Sequence, residues 1–443
     1  MTPPDDAMRA GAGRAAVDLT AGVLPVDGFT GVHDPLHARV AVLDDGRTRL
    51  ALVVIDQTSI FDDQVDRTRE ILRRTASVEA PHCLVVASHT FSAPHVLPLG
   101  RTPAAGADRN ARLAAAVDDA VTRAAEQAIR TLRPARLGFG RGICRVGVQR
   151  DVPTPHGWWL GADDAGLTDD SVGVLRIDSL DGRPIALLVN HAVQSSVMNG
   201  ATTATGERQV SADLAGAAAR RIETHHGDDT VALFLIGAAG DQAPYLTAVR
   251  TWPDENGVPR RTQTHDDGHI LADLLGERLG DAALRTAARI RTAPLATPLR
   301  VIHAHVEVPA QRPPAGLHTL RPTTSYTYEP DGTAQVPLVA VHLGVTALVG
   351  LQAELNAATG MAVKASPFPH TCLVTMVNGA AKYMADAGSY DRITYEAMNS
   401  RYARGAAETV TGRLDGLLRE LYTTDPQRPC GGGIPRAGDP PAS

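Results

Sequence analysis

The chain has 443 residues, 43% hydrophobic and 21% charged, which is enough apolar matter for a large globular core. Its net charge of -6, with no Lys/Arg run set among aromatics, argues against a nucleic-acid partner. No apolar stretch is long enough to span a bilayer, and the opening MTPPDDAMRAGAGRAAVDLT lacks the apolar region of a secretory signal. Cys83, Cys144, Cys372 and Cys430 are scattered, with no CxxC pair, so a cytoplasmic protein without a disulfide scaffold or zinc ribbon is expected. Cys83 and Cys372 lie in apolar surroundings and read as buried thiols. The abundance of Ala, Gly, Arg and Asp resembles the bias of a high-GC bacterial proteome.

Along the chain, residues 38–43 and 50–55 read as strands around the DDGR turn. A polar helix follows over 63–75, then a buried strand over 84–87. Residues 107–130 form a long Ala-rich amphipathic helix. Strands follow over 136–139, 172–177 and 185–189. The segment 211–224 reads as a helix with Ser211 as its amino cap and Asp213 in its first turn. Residues 231–236 are a buried strand, and the segment 269–292 is helical. Past 299 the texture changes: an alternating strand over 301–308, a Pro/Thr/Tyr-rich loop over 311–337, apolar strands over 344–351 and 371–377, and a helical segment over 391–421. The expected organisation is a flexible segment 1–12, one large α/β mixed-sheet domain over 13–422, and a disordered tail over 423–443.

Residues 83–94, CLVVASHTFSAP, carry the strongest local signal. A buried apolar run stops at Ser88-His89-Thr90, and the ends of such strands are where ligands and catalytic groups gather. The run 185–189 stops at Asn190-His191 in the same way. Two rigid strands that each deliver a histidine suggest one shared site. Glu354, after the apolar run 344–351, is a third candidate, since a carboxylate there is costly to leave unpaired. Tyr383, Tyr390 and Tyr395 crowd together in a chain with only eight tyrosines. His33 and His37, in GVHDPLHAR, have the spacing of a helical metal pair, but the flanking proline speaks against a shared helix face.

In order, SHTFSAP, VNHAVQSS, QVSADLAG, FLIGAAGDQAP, LQAEL and VNGAAKYMADAGSYDRITYE resemble the amidohydrolase domain of the neutral/alkaline non-lysosomal ceramidases. The opening GVHDPLHARVAVLDDGRTRLALVVIDQ is similar to the start of that domain. The resemblance runs from about Gly13 to about Leu421. It implies a ceramidase-like α/β fold and one catalytic zinc held by His89, His191, Glu354 and Tyr383. It implies that Tyr395 donates to the substrate carbonyl oxygen and that Arg150, in GVQRD, lies near the scissile amide. Gln149 replaces the asparagine of the family's motif there.

Three departures accompany the resemblance. Phe91 stands where the family has a second, substrate-facing histidine. Ala243 stands where the family has a serine once proposed as nucleophile. A carboxyl-terminal β-sandwich like that of ceramidases is not expected, and the interval from His191 to Glu354 is short for the family.

The resulting expectation is a zinc hydrolase that cleaves a carboxamide in a small or amphipathic molecule with zinc-activated water. Two other readings stand beside it: the same site forming or rearranging an amide in a biosynthetic pathway, and a non-catalytic binding protein on the same fold. Asp56 and Asp241 are expected to orient the ligand histidines, and His95 is expected in the pocket. The partner is a small-molecule amide or acylated amine; the sequence leaves a homo-oligomer open.

Overall fold

The computed structural model describes residues 8–423 other than 21, 228, 254–258, 345, 367 and 369. Its centre is an eight-stranded mixed sheet. Across the sheet the strands are Val231–Ile236, Pro184–His191, Ser171–Ser179, Arg133–Ile143, Arg9–Ala16, His37–Asp44, Arg49–Ile55 and Cys83–Ala87. The outermost pair at each side is parallel and every pair between is antiparallel.

Strand alternation splits each strand between two cores. From Arg49–Ile55, the side chains of Leu50, Leu52 and Val54 join Leu84, Val86, Val174 and Leu188. Ala51, Val53 and Ile55 join Val85 and Ala87 in a second core. Helices Asp62–Ala76 and Ala107–Arg130 cover that second core with residues such as Leu72, Val117 and Ala124. Burial on both faces is why these strands are continuously apolar in sequence. Helices Asp213–His226 and Gly268–Ala287 pack against the first core through Leu214, Ile222, Leu275 and Leu279.

A four-stranded sheet of Arg300–Gln311, Pro330–Leu343, Thr346–Leu351 and His370–Val374 closes the other side. Val339, Val341, Leu348 and Val374 face the first core. Leu338, Ala340 and Val349 face a third, under helix Ala406–Thr423. Both edges of the larger sheet are tied to residues 373–378. At one edge Thr375 N–H donates to Ile236 O at 2.9 Å, and Asn190 Nδ2 donates to Leu235 O and Leu373 O at 2.9 and 2.8 Å. At the other, Asn378 N–H donates to Val85 O at 2.7 Å and its Oδ1 accepts Val85 N–H at 2.9 Å.

Several expectations shift. The strand Pro330–Leu343 takes the last part of the expected loop 311–337; its exposed first half, rich in polar residues, pairs along Arg300–Gln311. The helical segment 391–421 is three pieces, Ala387–Arg392, Tyr395–Met398 and Ala406–Thr423. Ala212, not Ser211, occupies the cap of helix Asp213–His226, although Ser211 Oγ still accepts Asp213 N–H at 2.9 Å. The expected flexible segment 1–12 is strand from Arg9 onward. Residues 1–7 and 424–443 lie outside the described residues, and Thr423 ends the last helix rather than starting a tail. Cys83, Cys144 and Cys372 are buried free thiols, and burial pushes each of them up. Cys430 lies outside the described residues. Among the described residues no helix is long and apolar enough to cross a membrane.

Candidate active site

The strand Cys83–Ala87 ends two residues before His89, whose φ of 63° lies in the left-handed region that non-glycine residues seldom adopt. Such strain gathers at functional sites, where surrounding contacts hold it in place. Here Thr58 O takes the hydrogen of His89 Nδ1 at 2.6 Å. That leaves the Nε2 edge 3.2 Å from Glu354 Oε2. Phe91 stands edge-on to the same ring, centroids 4.8 Å apart. The Phe91 N–H donates to Ser195 O at 3.0 Å, which joins this loop to the one after His191.

His191 closes the strand Pro184–His191. Its Nδ1 donates to Ser171 O at 2.9 Å, and its Nε2 is buried with no partner. Burial lowers its pKa, so the ring is neutral and Nε2 carries a bare lone pair. Its ring makes no direct contact with Glu354 or His89 among the described hydrogen bonds.

Glu354 and Tyr383 are opposite one another in a short parallel pair. The loop after Val231–Ile236 supports this pair: Gly240 N–H donates to Leu355 O at 2.8 Å. A Cβ at Gly240 would lie 3.0 Å from that same oxygen, tight enough that any larger residue makes the facing backbone give by a few tenths of an ångström. Glu354 Oε2 also accepts Gln194 Nε2 at 3.2 Å. Burial pushes the Glu354 carboxyl up, but His89, Arg150 and Gln194 together hold it below its ordinary value. Burial raises the Tyr383 phenol.

Arg150 projects from the hairpin strand Gly147–Thr154. Its guanidinium lies 5.2 Å from the Tyr383 ring centroid and 5.9 Å from that of Tyr395. Nη1 donates to Gln194 Oε1 at 3.0 Å and Nε to Glu396 Oε1 at 2.8 Å. Tyr395 opens the helix Tyr395–Met398, capped by Thr394. It is half-buried, edge-on to Trp159 and to Tyr383 at 5.7 and 6.0 Å. Asn399 Nδ2 donates to its hydroxyl oxygen at 3.2 Å, which leaves the phenolic hydrogen for another acceptor. Asp151, beside Arg150, is buried; burial and the neighbouring Glu396 push it up to about 9.

The orienting residues are not the expected ones. Asp56 Oδ2 accepts His37 N–H at 2.9 Å and Arg39 Nη1 at 3.1 Å. It belongs to a buried ion-pair network of Arg39, Glu223 and Arg14, not to either histidine. Asp241 accepts Gln149 Nε2, Gln242 Nε2 and Ala357 N–H at 2.9, 3.1 and 2.8 Å, while its backbone oxygen accepts Arg150 N–H at 2.9 Å. It therefore fixes the Arg150 strand. Backbone carbonyls of Thr58 and Ser171 orient the rings instead. His95 is partly exposed and pairs with Asp27 at 2.7 Å.

The donor atoms of His89, His191 and Glu354 do not all lie within 4.8 Å of one another, although the character of each donor is one that zinc accepts. Both histidines give their Nδ1 hydrogens to backbone carbonyls, the arrangement that frees Nε2 for a metal. An Nε2 edge 3.2 Å from a carboxylate is attractive only with a cation, proton or metal, along it, and the buried Nε2 of His191 lacks any partner.

Among the described residues, the one group of three His, Cys, Asp or Glu side chains whose donor atoms all lie within 4.8 Å of one another is His33, Asp34 and His269. The two rings are stacked, centroids 3.5 Å apart and planes 8° apart, so their in-plane lone pairs run side by side and do not converge. Asp34 is engaged by Ala212 N–H and Arg220 as well as Ser211. The pairing of His33 with His37 is not formed.

Gln194, Glu396, Asp151 and Trp159 escaped the sequence reading as site residues. Gln194 sits three residues after His191 and Glu396 directly follows Tyr395, so both lay inside motifs already in view.

No protein-family model and no curated protein matches the sequence. Solved structures do match, and two of them are ceramidases. One is a ceramidase complexed with C2, with 19% identity, a TM-score of 0.71, and 94% of this chain and 75% of that one covered. The other is the neutral ceramidase from Pseudomonas aeruginosa, with 18% identity, a TM-score of 0.71, and 94% and 74% covered. The chain has a ceramidase-like fold, on a sequence that has diverged far from those two proteins.

Proposed function

We propose that this protein is a zinc-dependent hydrolase of a carboxamide bond in a small or amphipathic molecule. The observation that carries the reading is His89 Nε2 turned to Glu354, which Gln194 links to an Arg150 lying by Tyr383 and Tyr395; the bare Nε2 of His191 adds a further donor of the right kind. His89, His191, Glu354 and Tyr383 would hold the ion. When bound, zinc supplies a Lewis acid that makes water a nucleophile at neutral pH.

The chain's own residues handle the substrate. Arg150 brings a permanent positive charge and Tyr395 a hydroxyl hydrogen, both suited to the oxygen on which negative charge grows as an amide carbonyl is attacked. Burial raises the Tyr395 phenol, so it keeps that hydrogen at neutral pH. Gln194 spans Glu354 and Arg150, which links the orientation of carboxylate and guanidinium. Ala243 lies in the strand Gln242–Pro244 and offers no nucleophile, so no acyl-enzyme forms through that position.

The test is elemental analysis together with product analysis on a panel of N-acyl compounds. The expected result is about one zinc per chain, lost in His89→Ala and His191→Ala together with release of free amine. Protein with no transition metal that takes up none on reconstitution overturns the reading.

A further inference from the structure

Asp151 has no part in the chemistry above, yet it is 3% exposed and follows Arg150 directly. Its backbone N–H donates to Gln149 Oε1 at 3.1 Å. Its two carboxyl oxygens are buried and meet no donor. Glu396, with no exposure at all, is in a similar state: Oε1 accepts Arg150 Nε at 2.8 Å, with Nη2 of the same ion pair 2.5 Å away, while Oε2 is buried without a donor. The charged and titratable groups that face Asp151 are Glu396 from the helix Tyr395–Met398, Asp241 from the loop after Val231–Ile236, and Arg150 from its own strand. One cation thus faces three carboxyl groups away from water.

Ionised carboxylates only accept hydrogen bonds. Two of them in contact, both buried, repel and leave oxygens unsatisfied. A single proton turns one of the pair into a donor and removes the excess charge. Arg150 is already spent on Glu396, so Asp151 is the member that takes the proton.

We propose that Asp151 is held as a neutral carboxylic acid whose hydrogen bridges to Glu396, and that this pair clamps the Arg150 guanidinium against Gln194 and Tyr383. Asp151 acts through Glu396 and Arg150, so it is a positioning residue. Loss of its proton sets two carboxylates in competition for the guanidinium and draws it from its place. The part of the proposal that concerns turnover rests on the amide-hydrolase reading; the protonation state does not.

Two measurements separate these. Infrared difference spectra of wild type and Asp151→Asn at pH 7.5 are expected to show the carbonyl band of one un-ionised carboxylic acid lost in the variant. On the best amide substrate, Asp151→Asn, which keeps a donor toward Glu396, is expected to retain turnover within about threefold, by the conservative exchange of one neutral donor for another. Asp151→Ala is expected to lose roughly tenfold or more with its zinc retained. Wild-type turnover falls as pH rises through the Asp151 titration, and Asp151→Asn lacks that fall. An unchanged infrared spectrum in Asp151→Asn overturns the neutral acid. An alkaline limb identical in the two proteins, or equal losses in Asn and Ala variants, overturns the clamp. If wild type cleaves no amide, the functional reading fails while the infrared result still decides the state of Asp151.

Discussion

At Tyr395 one oxygen separates packing from chemistry. The ring is wedged between Trp159 and Tyr383, and phenylalanine keeps both edge contacts. Tyr395→Phe should lower turnover by roughly ten- to a thousand-fold with zinc retained, as one lost donor to a developing oxyanion does. Asp56 tests the opposite case. Its carboxylate lies on the fully buried Arg39, so Asp56→Asn removes half of that cation's compensation. Chemical denaturation should show a loss on the order of 3 kcal/mol, while metal content stays at the wild-type value. Asp151 gives a pH dependence of stability. Its folded pKa is raised to about 9 from an ordinary value near 3.8. Between those values the native chain holds a proton that the unfolded chain has released, so stability falls as pH rises through that window. The fall in unfolding free energy from pH 5 to pH 9 should be shallower in Asp151→Asn.

At the level of elements, what could be read from sequence followed burial. Strands 50–55, 84–87, 185–189 and 231–236 stood out because both faces are covered, which leaves an unbroken apolar run. The hairpin of Gly147–Thr154 and Gly157–Asp163 did not, because its second strand is half-exposed and mixes Trp with polar residues. That hairpin carries Asp151 and Trp159, which went unread with it, and Arg150, which only the resemblance to ceramidases picked out. The groups that orient His89 and His191 are the carbonyl oxygens of Thr58 and Ser171, which any residue would supply. They leave no mark in a sequence, and carboxylates at strand ends drew the attention instead. Gly240 is a mark that could have been read. Gly240→Ala brings a Cβ to 3.0 Å from Leu355 O, and the shift that relieves it moves the Glu354 backbone. Zinc affinity should fall by roughly 10- to 100-fold, the usual cost of disturbing what supports a ligand. Competition with a chelator measures it.

For the whole molecule, substrate scope follows from what surrounds the donors. Phe91 puts an apolar edge on His89, where the resemblance to ceramidases implies a hydrogen-bonding imidazole. A site selects strongly through a polar group that a wrong partner leaves unpaired, and a phenyl ring has no such group. Long-chain ceramide should therefore be a poor substrate beside short N-acyl compounds; a higher kcat/KM on ceramide contradicts this. The tie of residues 373–378 to both edges of the large sheet has a consequence in time. His89 follows the strand at one edge of the sheet order and His191 ends the strand next to the other edge, while Glu354 and Tyr383 come from the last quarter of the chain. Contacts so distant in sequence form late, after the entropy of closing long loops has been met. The full donor set then exists only once Asn378 has docked on Val85. An ion that binds only this final arrangement slows unfolding and leaves the rate of folding nearly unchanged. Stopped-flow refolding with and without zinc should thus give the same folding limb, with the effect of the metal confined to the unfolding limb.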